Sequence, residues 1–166
     1  MLVFGNGVGE INMLLCLNCY KIYNQKTIKN NMCKVKNCHG DIVEVDELFT
    51  PVIAELNRKG YKTRTCCSGH FDNNAYNAYN SYIYFEDNIL LPSLPDGYMY
   101  DQDLYPWVDW EGQEKNIIRI QFDDKNKSFN ELSKDIFMNA IGVLEWAEEL
   151  EEFGGVKVKK MKEMEE

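Results

Sequence analysis

Four cysteines near the start of the chain constrain its fold more than any other feature: Cys16-x2-Cys19, a thirteen-residue gap, then Cys33-x4-Cys38. Two short cysteine turns at this separation suit one tetrahedral zinc, so Cys16, Cys19, Cys33 and Cys38 are the expected metal ligands. The run between the pairs holds few large side chains beyond Tyr20, Ile22, Tyr23 and Ile28. Zn–S bonds supply folding free energy that so short a segment cannot gain by burying apolar surface, and the pattern reads as a zinc ribbon. His39 directly follows Cys38. Adjacent residues rarely both point at one ion, which favours the four-cysteine set. The competing reading is two disulfides in a secreted protein, but the residues before the cysteines lack the basic n-region of a secretory signal.

The 166 residues accommodate a small metal module and one compact domain. The expected divisions are a leader over 1–12 that need not be native, with translation starting at Met13, a zinc ribbon over 13–40, an α/β ligand-binding domain over 41–154 and a charged tail over 155–166. Hydrophobic residues make up 45% of the chain, enough for a core, yet no apolar run approaches a membrane span. A cytoplasmic location is expected. The net charge of −9 argues against a surface that clings everywhere to nucleic acid. Charge is unevenly placed, however: 13–40 contains Lys21, Lys26, Lys29, Lys34 and Lys36, while all 27 acidic residues lie outside it. With a divalent ion and four thiolates the ribbon carries roughly +3, so the ribbon alone is suited to touch RNA phosphate. Solvated loop lysines are the plainer alternative.

Beyond Gly40 the pattern changes. Ile42, Val43 and Val45 form a short β-prone entry, and Leu48, Val52, Ile53 and Leu56 make a helical stripe. Asp46 is placed to cap it, Pro51 marks either a kink or the true first turn, and Gly60 is a stop signal. Strands are expected at 61–65, 81–85 and 117–122. Ser128 and Glu131 form a capping box ahead of Leu132, Ile136, Ala140, Val143, Leu144 and Ala147, which predicts a long amphipathic helix to about Phe153, ended by Gly154-Gly155. The fold class is α+β or α/β: a small zinc ribbon beside a compact mixed sheet with two main helices.

A second candidate site is Thr63-Arg64-Thr65-Cys66-Cys67-Ser68-Gly69-His70, where a strand is expected to run into a loop. Two thiols, three hydroxyls, an imidazole and a flexible glycine crowd this stretch. A Ser-Gly turn after a strand can aim N–H groups at an anion. Cys67 and His70 can pair as nucleophile and base, or share a metal. In the plainer reading one of Cys66 and Cys67 is a small apolar core residue. Two further segments can border a pocket here: 72–80, a polar Asn- and Tyr-rich tract that can serve as a lid, and 98–111, which mixes Tyr100, Tyr105, Trp107 and Trp110 with Asp101, Asp103 and Asp109. Aromatics among carboxylates suit a nucleoside or a cationic sulfonium better than a phosphate chain.

The residues Asp41, Asp46, Asn57, Tyr61, Thr63, Cys67, Ser68 and Gly69 stand in a pattern, D-x4-D-x10-N-x3-Y-x-T-x3-C-S-G, that resembles the start of the tRNA wybutosine-synthesising methyltransferase family acting at the third modification step. His70 stands where that family has Arg and Cys66 where it has Ser, and the ribbon is not part of its usual pattern. The resemblance implies an α/β domain whose loop binds S-adenosylmethionine to methylate a tRNA base. An Arg-to-His change weakens bidentate recognition of a carboxylate or phosphate. The expectation is therefore a zinc-ribbon protein that binds a small nucleotide-like ligand or modified nucleoside through Thr63, Thr65, Cys67, Ser68, Gly69 and His70. The alternatives are a methyltransferase whose ribbon holds RNA, and a non-enzymatic adaptor whose ribbon docks a protein. No catalytic residue is assigned.

Overall fold

A computed structural model describes residues 12–24, 32–69, 80–86, 89–100, 117–122 and 127–154. In chain order the elements are β1 (Asn12–Cys16), β2 (Ile22–Asn24), β3 (Ile42–Asp46), α1 (Thr50–Arg58), β4 (Thr63–Cys67), β5 (Asn80–Phe85), β6 (Met99–Tyr100), β7 (Ile117–Gln121) and α2 (Phe129–Glu149). They form two antiparallel sheets, ordered β2-β1-β3 and β4-β5-β7-β6, with two helices, an α+β fold.

Strand alternation makes β1 the boundary between two cores. Leu14 and Cys16 face one way, into a small cluster with Tyr23 and Cys38, whereas Leu15 between them is fully buried in the main core beside Val45, Phe49 and Leu56. β3 pairs with β1 from Asn12↔Asp46 to Cys16↔Ile42, so residues on both sides of position 40 share one sheet. Lys62 strengthens this join, donating to the Tyr20 hydroxyl at 2.9 Å with its ammonium 5.3 Å from the ring centre.

The main core lies between the helices and one face of the four-stranded sheet. Cys66, Ile83 and Ile118 are register partners across β4, β5 and β7 and are all buried in it. On the sheet's other face the corresponding row is Cys67, Tyr82 and Arg119.

Pro51 belongs to the first turn of α1 rather than to a kink, and Gly60 follows the helix at φ +92°, a conformation glycine adopts without strain. Asp46 acts one turn earlier than a true cap: its Oδ1 accepts the Leu48 and Phe49 N–H groups, while Phe49 occupies the N-cap position. The capping box of Ser128 and Glu131 is present at the start of α2.

Two elements depart from expectation by more than one residue. The strand expected at 61–65 is β4, which starts at Thr63 and continues through Cys67, because residues 61 and 62 complete the helix exit through Tyr61 N–H to Leu56 O and Lys62 N–H to Gly60 O. The long helix ends at Glu149, before Phe153. Lys59 donates to the carbonyls of Glu148 and Leu150, and its own carbonyl accepts the Phe153 N–H at 2.7 Å, which draws the chain off the helix axis onto the end of α1.

Candidate metal centre

The two cysteine pairs reach the centre on two different turns. Cys16 ends β1, and the chain reverses at once: Tyr20 N–H donates to Cys16 O and Cys16 N–H to Lys21 O, which carries Cys19 back toward Cys16. Tyr20 completes that turn at φ +57°, and in the second turn Asn37, at φ +64°, directly precedes Cys38. Asn tolerates this left-handed region; a tyrosine there is uncommon and is held by its contact with Lys62.

The four Sγ atoms lie within 4.8 Å of one another, with Cys16–Cys38 at 3.6 Å and Cys19–Cys33 at 3.5 Å. A tetrahedral ion with Zn–S bonds of about 2.3 Å requires sulfurs about 3.8 Å apart. The cysteines are thus close enough to hold a metal ion, and none of the six cysteines is in a disulfide. His39 lies exposed beside this cluster and is not one of its ligand candidates.

The supply of hydrogen-bond donors to the sulfurs is lopsided. Cys33 Sγ lies 3.1 Å from the Tyr23 hydroxyl and accepts the Val35 N–H at 3.5 Å, while Asn18 Nδ2 donates to Cys38 Sγ. Partial burial pushes the Cys33 thiol up, but the Tyr23 hydroxyl, the Val35 N–H and the thiols of Cys19 and Cys38 outweigh it and bring it down to about 6. Cys19 moves oppositely, to about 12, through partial burial and hydrogen bonds with the other three thiols, against the Lys21 backbone. The Tyr23 phenol is itself raised, chiefly by its hydrogen bond to Cys33, and so stays protonated as a donor. One sulfur is therefore poised as a thiolate at neutral pH, and a metal ion held here would displace the remaining protons.

Close approach of the two turns requires a glycine at position 40. A Cβ there would lie 2.7 Å from Cys16 Sγ and closer still to Asn18 Cβ. Gly40, Asn18 and the hydroxyl role of Tyr23 were missed by sequence reasoning. Only Gly40, placed soon after the last cysteine, gave a usable signal.

The residues of the second candidate site are spread along a strand and its exit. Thr63 sits at the far end of β4, its Oγ1 accepting from Asn57 Nδ2 at 2.8 Å. A strand rise of about 3.4 Å per residue separates it from Ser68 by up to roughly 17 Å. Thr65 is half-buried, and Cys66 and Cys67 are each 7% exposed. Burial, with the Asp46 carboxylate nearby, raises the Cys66 thiol well above its ordinary value, so it stays protonated. Ser68 is buried, with both its N–H and its hydroxyl donating to Asp46 Oδ2, at 3.1 and 2.9 Å. Gly69 has φ +106° and packs so closely that a Cβ would meet Phe122 at 3.0 Å and Ile136 at 3.3 Å. His70, residues 71–79 and residues 101–111 lie outside the described residues.

Tyr98, at the start of the aromatic-acidic segment, is buried. Its hydroxyl lies 2.6 Å from Ser81 Oγ and accepts from Asn139 Nδ2, which joins β5 to α2. Two open concavities, of about 490 and 520 Å³, flank the C-terminal half of α2 and include none of the predicted site residues.

Comparison with known proteins finds no matching family model, no curated relative and no matching solved structure. Among the described residues, no helix is long and apolar enough to cross a membrane.

Proposed function

We propose that the chain is a zinc-ribbon protein in which Cys16, Cys19, Cys33 and Cys38 hold one structural Zn²⁺ and the ribbon surface meets RNA phosphate. Convergence of four sulfurs at tetrahedral spacing carries the metal assignment, because a closed set of thiolates leaves no position for a reacting water. The RNA reading is supported by Lys21, Lys34 and Lys36, all exposed on the ribbon, in a segment without acidic residues. Native mass spectrometry of protein purified without chelator tests the metal: one zinc beyond the denatured mass is expected, and a deficit of four hydrogens, the mark of two disulfides, would refute it. Replacing Lys34 and Lys36 together with Ala is expected to weaken RNA binding and flatten its salt dependence by about two unit charges.

A second reading, a small nucleoside-like ligand near the exit of β4, is favoured by Asn80. Its Oδ1 is buried without a hydrogen-bond partner among the described residues, on the face of β5 shared with Tyr82 and Cys67. An unsatisfied buried carbonyl is costly, and the N–H edge of a base would satisfy it. A nucleotide-sized adduct in the same mass spectrum, lost in Asn80→Ala, is the expected result. Transfer of a labelled methyl group from S-adenosylmethionine to RNA would extend this reading to an enzyme.

A further inference from the structure

Among the described residues Tyr23 is the one large buried polar side chain in the ribbon cluster, and its hydroxyl is committed at both ends. The Lys34 N–H donates to Tyr23 Oη at 3.1 Å. That bond fills an acceptor site on the oxygen and leaves the phenolic proton free to point at Cys33 Sγ, 3.1 Å away. The ring is fixed from β2, where Tyr23 stands directly opposite Leu14 of β1 and is 8% exposed.

We infer that Tyr23 is a positioning residue for the metal centre, its hydroxyl donating to the Cys33 thiolate to lower the electron density on that sulfur and slow its release from the metal. This rests on the four-cysteine reading and adds to it an inequality among the ligands: Cys33 carries donors from the Tyr23 hydroxyl and the Val35 N–H, whereas Cys19, equally half-buried, is served by the Lys21 backbone. A hydrogen bond to a ligating sulfur withdraws charge from the metal–sulfur bond, and loss of such a partner typically costs 10- to 100-fold in metal affinity.

The test uses the full chain loaded with Co²⁺, whose tetrahedral d–d bands report geometry and whose thiolate-to-metal charge-transfer bands report electron density on sulfur. Tyr23→Phe keeps the ring and removes only the hydroxyl. The expected result is unchanged metal stoichiometry and d–d bands, a charge-transfer band moved to lower energy, and zinc affinity about tenfold weaker in chelator competition. Leu14→Ala, which removes packing from the same cluster, should leave the charge-transfer energy where it is. A Tyr23→Phe protein with the wild-type band position and affinity would overturn the inference while leaving the zinc reading intact, and an equal band shift in both variants would reduce Tyr23 to packing. A wild-type chain that gives no tetrahedral Co²⁺ spectrum would instead sink both readings.

Discussion

The six cysteines fall into two groups with opposite fates, although the same thiol is involved in each. Cys16, Cys19, Cys33 and Cys38 sit on turns that reverse the chain, so residues far apart in sequence present their sulfurs to a common point. Cys66 and Cys67 are neighbours within β4, where alternation sends them to opposite faces of the sheet, one toward Ile83 and the other beside Tyr82. Adjacent cysteines in an extended strand cannot converge on one ion. Local backbone geometry, more than cysteine density, decides which thiols do chemistry.

The sharpest break of this comparison is a matched pair of substitutions. Cys16→Ser removes a ligand whose strand also supplies Leu15 to the main core. Apparent binding energies of about 10–16 kcal/mol for structural zinc in zinc-finger peptides are folding energies. Loss of most metal affinity is expected, with a large fall in thermal midpoint that chelator does not deepen. Cys66→Ala deletes one buried sulfur and should cost about 1–2 kcal/mol with zinc stoichiometry unchanged. Equal zinc content in wild type and Cys16→Ser would remove the metal assignment.

Next in size is Gly40→Ala. The added methyl meets Cys16 Sγ at 2.7 Å and crowds Asn18 Cβ, so the chain after Cys38 must move away from the first turn. Overpacking of this kind costs about 1–3 kcal/mol. Here the cost should appear in zinc affinity measured by chelator competition, about tenfold or more. Unaltered affinity would mean that the two turns approach each other less closely than described.

The four-cysteine cluster was legible in the sequence because its spacing is itself the geometry: two short cysteine turns constrain four sulfurs whatever lies between. The elements with strong periodicity were legible too, including α1 after Pro51, β5, β7 and the boxed start of α2. What could not be read was long-range. β1 and β2 are short, β1 finds its second partner in β3 at the far end of the ribbon, and β6 has two residues. The early end of α2 depends on Lys59, whose ammonium reaches carbonyls about ninety positions away. The loop after β4 shows the same dependence on distant residues, since Ser68 donates to Asp46 and Gly69 packs against Phe122 and Ile136.

That use of Ser68 gives a third prediction, which separates the second cysteine group from the first. Asp46 accepts from Leu48, Phe49 and Ser68, and so ties the start of α1 to the exit of β4. Hydrogen bonds to a charged acceptor contribute about 1.5–3 kcal/mol. Asp46→Ala should lower the thermal midpoint by roughly 5–10 °C for a chain of this size. Zinc content should stay at one per chain, because Asp46 touches none of the four ligands. Loss of zinc in this variant would show that β3 transmits strain to the ribbon and that the two groups are not independent.

The smallest effect belongs to a site that touches neither group. Glu131 accepts from the Ser128 hydroxyl and N–H, and these bonds hold its carboxyl below the ordinary 4.5. A carboxyl whose folded-state value is depressed adds stability that is present above the unfolded value and lost as pH falls through the folded one. Glu131→Gln should therefore differ most from wild type near neutral pH, with the difference shrinking below about pH 4.5 as the native carboxylate is protonated. Proton competition at the cysteines acts on both proteins alike and cancels when midpoints are subtracted. Thermal melts of the two proteins between pH 7 and pH 3 read that difference directly. A gap that widened on acidification would mean that the Glu131 carboxylate opposes the folded state, despite the donors that surround it.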